Sequence, residues 1–215
     1  RVSRGLGDVY KRQLVGSDSY IFDDFTKKQL DTFTRVAAEL EAGLEYKVIK
    51  HILNSAGIER FTDYQMDMVR LGIGLYGVSA SGQKGLRNIS TLKTTILQIQ
   101  NVPAGDSIGY SRMSYVKRDS RIAIIPIGYA DGLDRHFSNG GGEVVINGHR
   151  CPIIGNICMD ACMIDVTDTD AHEGDSVIIF GEELPVSELS DKLKTIPYEI
   201  LTSISPRVKR VYYRE

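Results

Sequence analysis

From Asp24 to Gly43, apolar residues recur at three- and four-residue spacing, with Phe25, Leu30, Phe33, Val36, Ala37 and Leu40 on one stripe. That period predicts an amphipathic helix. Asp23 or Asp24 can cap its start, and Gly43 suits its stop. Tyr46 to Leu53 then reads as a strand, and Asn54-Ser55-Ala56-Gly57 as a turn after it. A short helix is expected from about Ile58 to Thr62, and a second buried strand or strand-loop from Val69 to Tyr76. Helix, strand, loop, helix and strand in that order give the rhythm of a β/α unit.

The pattern changes after Gly77. Ser79 to Asn88, with Gly82 and Gly85, reads as a linker. Beyond it lie short β-rich runs: Ser90–Val102, Arg121–Ile127, Gly142–Ile146, Arg150–Ile154, Met159–Val166 and Ser176–Phe180. Turn signals separate them, and Asn147-Gly148 between two apolar runs is the signature of a two-residue hairpin. Many short strands at this spacing predict a sandwich or barrel. A helix from Val186 to Leu193 and a final strand from Arg207 to Tyr213 complete the reading. The expected organisation is α/β over residues 14–78, a linker over 79–88 and an all-β domain over 89–215.

Composition narrows the classes. With 42% apolar and 25% charged residues, the 215-residue chain is ordinary for a soluble protein. A net charge of -2 gives no reason to expect nucleic acid or an anionic membrane as partner. The longest apolar runs, such as Ile122 to Ile127, are too short to cross a bilayer, and the N-terminus lacks the apolar core of a secretory signal. Three cysteines cannot all pair, which favours a reducing, cytoplasmic setting. They and four scattered histidines show no metal-ligand spacing, and the cysteines read as small core residues. The first residue is arginine, and residues 1–13 are basic, Gly-rich and without periodicity. They resemble translated sequencing-linker sequence, and we expect a non-native scar there.

Two tracts carry the chemistry. The first is Asp67-Met-Val-Arg70-Leu-Gly72-Ile73-Gly-Leu-Tyr-Gly77. The second runs Ser107-Ile-Gly-Tyr110-Ser-Arg112, then Pro126-Ile-Gly-Tyr129-Ala-Asp131-Gly132, then Gly155-Asn-Ile-Cys-Met159-Asp160. Singly these are weak signals. A serine after a strand is more often a turn former, an arginine before Gly-Ile-Gly more often a surface charge, and a tyrosine more often a half-buried strand residue. In order, with their spacing, they resemble the second half of the alanine racemases, which use pyridoxal phosphate. Phe22-Asp-Asp-Phe-Thr-Lys and the Gly-Val-Ser-Ala-Ser linker also resemble racemase modules fused behind a cell-wall ligase.

The resemblance implies the last units of a (β/α)8 barrel followed by a β-rich domain. It implies that Ser55, the backbone N–H groups of Gly72 and Ile73, and Tyr198 hold the cofactor phosphate. Arg70 would face the pyridine nitrogen. A permanent cation there keeps that nitrogen unprotonated and weakens the cofactor as an electron sink, which favours racemisation over transamination. Tyr110 would be the second acid/base group, with Arg112 nearby as a candidate for lowering its pKa. Tyr129 would narrow the substrate entrance, the Met159 backbone N–H would hold the substrate carboxylate, and Asp160 would support that loop without a catalytic role. The family's cofactor lysine sits in an Ala-Asn-Ala-Tyr-Gly-His-like segment, and no lysine here has that context. Its dimer is head to tail, each site drawing the second base from the other subunit.

The expectation is therefore part of a cytoplasmic enzyme interconverting L- and D-alanine for peptidoglycan, inactive as this chain alone and poorly ordered before about Ser79. Serine as the substrate, or a non-catalytic dimerisation domain, are the alternatives.

Overall fold

A computed structural model describes residues 13–82 and 85–213, so all but the last of residues 1–13 lie outside the described residues. The chain divides into two compact units between Arg87 and Asn88.

In the first unit, helix α1 spans Asp23–Ala42, close to the sequence-based bounds. Leu30 is fully buried and packs with Leu14, Ile52 and Leu53, against which Phe33, Ile58 and Val69 lean. The rest of the apolar stripe does not reach this core. Phe25 and Leu40 are exposed and, with Val36, Val48, Ile49 and Ile52, line an open groove of about 1090 Å³.

Helix α2, Ser55–Arg60, starts earlier than the expected Ile58. The Asn54 side chain accepts from the Gly57 N–H at 2.9 Å and caps the helix, so the expected turn becomes cap and first turn. The strands expected over Tyr46–Leu53 and Val69–Tyr76 form no ladder. Two extended segments lie side by side instead, joined by Asp67 N–H to Lys50 C=O at 3.2 Å and Arg70 N–H to Leu53 C=O at 3.0 Å. Parallel strands are stable mostly in sheets covered on both faces, and among the described residues these two segments share only these two backbone bonds. Ile73–Tyr76 is a 3-10 turn ended by Gly77 at φ 76°. The start of the expected linker is tied down: Glu59 accepts from Ser79 Oγ at 2.6 Å and from the Ala80 N–H at 3.1 Å.

The second unit is a curled antiparallel sheet. Its strands are β1 Leu92–Thr95, β2 Gln98–Val102, β3 Ser107–Ile108, β4 Ser114–Tyr115, β5 Ser120–Ile125, β6 Glu143–Ile146, β7 His149–Ile154, β8 Cys162–Asp165 and β9 Ser176–Phe180. Seven of them form one sheet in the order β1-β9-β6-β7-β8-β5-β2, and β3 pairs with β4. The run expected as a single strand over Ser90–Val102 is two, broken at Ile96–Leu97, whose halves lie at opposite ends of that order. Two residues cannot span an open sheet of this width, so the sheet must curl until its ends meet. Ile96 N–H reaches Asp175 C=O at 3.0 Å and Leu97 N–H reaches Ile124 C=O at 2.9 Å, which joins the two edges.

Inward residues fill the curl: Ile96, Ile125, Val144, Ile146, Ile153, Ile164, Val177 and Ile179 are all buried, while Ile122, on the other face of β5, packs with Ile108 and Val116. Cys151 and Cys162 belong to this core, and burial pushes their thiols up to about 11 and about 12. Helix α3, Val186–Leu193, has the expected bounds and ends at Lys194 in the left-handed region. Helix α4, Pro197–Ser203, was not expected; Pro197 opens it, where a missing N–H costs nothing. The strand expected over Arg207–Tyr213 is absent from the described residues, and Arg207 instead ties this segment to two loops by side-chain bonds. Among the described residues, no helix is long and apolar enough to cross a membrane and no His, Cys, Asp and Glu cluster could hold a metal ion.

Candidate functional site

The sequence-predicted residues fall into two groups, one in each unit. In the first unit, Ser55 begins α2 and its buried hydroxyl accepts from the N–H of Gly72 at 2.8 Å and of Gly74 at 3.4 Å. Asn54 supplies the α2 cap, and the buried Ile73 follows Gly72 into the 3-10 turn. The N–H groups of Gly72 and Gly74 thus converge on the Ser55 hydroxyl, whose own proton can donate to an anion. Arg70 lies on the neighbouring extended segment, and its Nη2 points at Ile52 C=O at 3.5 Å. Burial lowers its pKa, but a guanidinium stays charged.

His51 was not singled out by the sequence, yet it faces Arg70. Burial, then the Arg70 charge, lower its pKa, and both favour the neutral imidazole. The only signal was a histidine inside an apolar run, which reads equally well as a core residue.

In the second unit, Tyr110, Tyr129 and Met159 come together through one loop, Gly155 to Asp160. Tyr129 sits on a 3-10 turn, Tyr129–Asp131, laid directly on that loop. The N–H groups of Tyr129 and Ala130 reach the carbonyl oxygens of Cys158 and Met159 at 3.1 and 3.0 Å. Tyr110 opens a tight turn, Tyr110–Arg112, whose backbone is not helical at Ser111, and its carbonyl accepts from Asn156 Nδ2 at 3.1 Å. It is 74% exposed, so it is not a strand tyrosine of the core. Tyr129 and Met159 are exposed as well. Arg112, the candidate for lowering the Tyr110 pKa, donates from Nε to Ser107 Oγ at 2.9 Å and lies 6.0 Å from the Tyr115 ring.

Arg207 clamps the far side of these loops, with Nε on Asp131 Oδ1 at 2.7 Å and Nη2 on Asp160 Oδ1 at 2.5 Å. The other Asp131 oxygen accepts from the Gly128 N–H at 2.9 Å. Burial alone would raise the Asp131 carboxyl, but the Arg207 and Gly128 bonds outweigh it and hold it below the usual range. Asp160 therefore supports the loop through Arg207, a partner no motif suggested. Tyr198 stands on α4 in the second unit, whereas Ser55, Arg70, Gly72 and Ile73 belong to the first.

Residues 89–212 match the family model of the alanine racemase C-terminal domain, and residues 14–80 match that of the N-terminal domain. Alanine racemase 1 of Caldanaerobacter subterraneus subsp. tengcongensis is 42% identical over 199 residues, covering 88% of this chain and 51% of the relative. A crystal structure of alanine racemase from Bartonella henselae, described with covalently bound pyridoxal phosphate, superposes at a TM-score of 0.85. It is 38% identical, with 94% of this chain and 55% of that chain covered. The alanine racemase of Bacillus anthracis with bound L-Ala-P gives 0.85 at 33% identity, over 94% of this chain and 54% of that one. The architecture is therefore the end of a β/α barrel followed by a β-rich domain of the alanine racemase type. The chain belongs to the alanine racemase family. It spans about half the length of the curated relatives it matches.

Proposed function

We propose that this chain supplies a pyridoxal-phosphate-dependent alanine racemase with the phosphate end of its cofactor pocket and with its second acid/base group. The observation that carries this is the gathering of Tyr110, Tyr129 and Met159 on one loop by direct hydrogen bonds. The donor set around Ser55 fits the cofactor phosphate: a buried hydroxyl with the amides of Gly72 and Gly74 aimed at it. Ser55, the amides of Gly72 and Ile73, and the Tyr198 phenol hold that phosphate. Arg70 would face the pyridine nitrogen, where its permanent charge would keep that nitrogen unprotonated. When bound, pyridoxal phosphate supplies the electron sink that acidifies the α-hydrogen of an amino acid.

Tyr110 takes or returns the α-proton on one face. The opposite face requires a lysine that we assign to sequence outside this chain. The Met159 N–H holds the substrate carboxylate, and Tyr129 narrows the entrance. Exposure of Tyr110, Met159 and Tyr129 suits groups that serve a partner's site in a head-to-tail homodimer. We place the enzyme in the cytoplasm, supplying D-alanine for peptidoglycan.

Co-expression with the N-terminal half of a family racemase tests this reading. The assembled protein should interconvert L- and D-alanine, and Tyr110→Phe should lower kcat by about 10²–10⁴-fold with cofactor still bound. An undiminished rate in Tyr110→Phe removes the role, and faster turnover of serine than of alanine reassigns the substrate.

A further inference from the structure

We propose that Asn156 is a positioning residue for Tyr110, a role that rests on Tyr110 being the second acid/base group. The Tyr110 turn adopts a backbone that its residue types resist. Gly109, Ser111 and Arg112 have φ of 71°, 65° and 50°, and the last two pay for the left-handed region with a Cβ clash. Strain of this kind persists only where neighbouring contacts over-determine it. Burial of the Tyr110 ring cannot be that contact, since the residue is 74% exposed.

Beside the β3–β4 pair and the Arg112–Ser107 bond that bracket the turn, a closed set of side-chain bonds holds it at Tyr110. Asn156 Nδ2 donates to Tyr110 C=O at 3.1 Å, and Asn156 Oδ1 accepts from Asn139 Nδ2 at 3.0 Å. Asn139 Oδ1 accepts from Ser114 Oγ at 2.6 Å, and Ser114 Oγ accepts from the Gly155 N–H at 3.2 Å. The set therefore returns to the loop from which Asn156 projects. Because Asn139 offers a donor, it fixes which end of the Asn156 amide faces Tyr110. An amide meets both demands at this size. A carboxylate offers acceptors on both sides, and an apolar side chain offers nothing. Asn156 stands three residues before Met159, so one rigid loop sets the spacing between the Tyr110 backbone and the Met159 N–H.

Nitrogen-15 relaxation of the Tyr110 and Ser111 amides in the full chain reads this directly. The order parameter should be about 0.85 in the native chain and below about 0.6 in Asn156→Asp at pH 7, where the donor is gone. Asn156→Gln keeps a donor and should restore order; Asn156→Leu should not. In Asn156→Asp, order should return on acidification, because the introduced carboxyl becomes a donor once protonated. Facing a carbonyl oxygen, it should do so above its ordinary value of about 3.9. A merely structural gap would show no such recovery.

Unchanged order in Asn156→Asp and Asn156→Leu overturns the proposal. So does equal loss in Asn156→Asp and Asn156→Gln, a comparison made at pH 7 and so independent of acid unfolding. Loop order in this chain does not depend on what Tyr110 does in catalysis, which the racemisation assay of Tyr110→Phe tests separately.

Discussion

A Cβ on Gly128 would stand 2.3 Å from the Cys158 carbonyl oxygen and 2.4 Å from that of Met159. Both are backbone atoms, and both already accept hydrogen bonds from the Tyr129 turn. The glycine is thus the reason two site loops can lie in direct contact. Gly128→Ala should destabilise the second unit by about 1–3 kcal/mol, the cost of overpacking, and shift the Met159 amide resonance. A stable variant with an unmoved Met159 amide would show that the contact has slack.

His51 gives a pH prediction of definite sign. Burial and Arg70 place its folded pKa below 6.5. The unfolded chain then takes up the proton first, so stability is greatest above about 6.5 and falls as pH drops from there towards the folded pKa. Urea unfolding followed at pH 5 to 7.5 should show this slope, and His51→Gln should flatten it. A ring titration midpoint at or above 6.5 would contradict the assignment.

Among the elements, those whose signal is local were legible. The Asn147-Gly148 hairpin forms as read, with Ile146 opposite His149 and φ of 49° and 77° at the two turn residues. Nothing lies within 4 Å of a Cβ added to Gly148, so Gly148→Ala isolates the backbone preference. It should cost about 1–2 kcal/mol, measured by chemical denaturation. No loss would mean that the turn relaxes without strain. The α1 period and the α3 bounds were equally local.

What depends on distant partners was not legible. In the Ser90–Val102 run the only local mark of the switch is the adjacent apolar pair Ile96-Leu97, which shifts the alternation by one position; that the two halves pair at opposite edges depends on distant strands. The strands expected in the first unit form no ladder, and Ile73–Tyr76 is a 3-10 turn, because a ladder is a property of neighbours. At the candidate site, motif order singled out Tyr110, Tyr129 and Met159, which backbone and side-chain bonds tie to one loop. It did not locate Asn156, Asn139 or Arg207, whose bonds cross 17 to 76 positions of sequence.

At the scale of the molecule, the two units differ in how their apolar residues are spent. The second encloses its inward residues in a sheet whose edges meet, so its central core is closed off from water. The first buries Leu14, Leu30, Ile52 and Leu53 and leaves Phe25, Leu40 and Ile49 along a groove. Local stability follows buried apolar contact and satisfied backbone bonds, and the first unit is poorer in both. In the chain alone, amide protection in α1 should therefore be lower than in β5 and β8 by about a hundredfold or more. A dye that fluoresces in apolar surroundings should bind the first unit. Complementation with the N-terminal half of a family racemase should raise α1 protection and displace the dye, because the β/α units that flank a barrel strand also cover its helices. One cooperative transition shared by residues 14–78 and the sheet, with no dye bound, would mean that the groove is not an open barrel face.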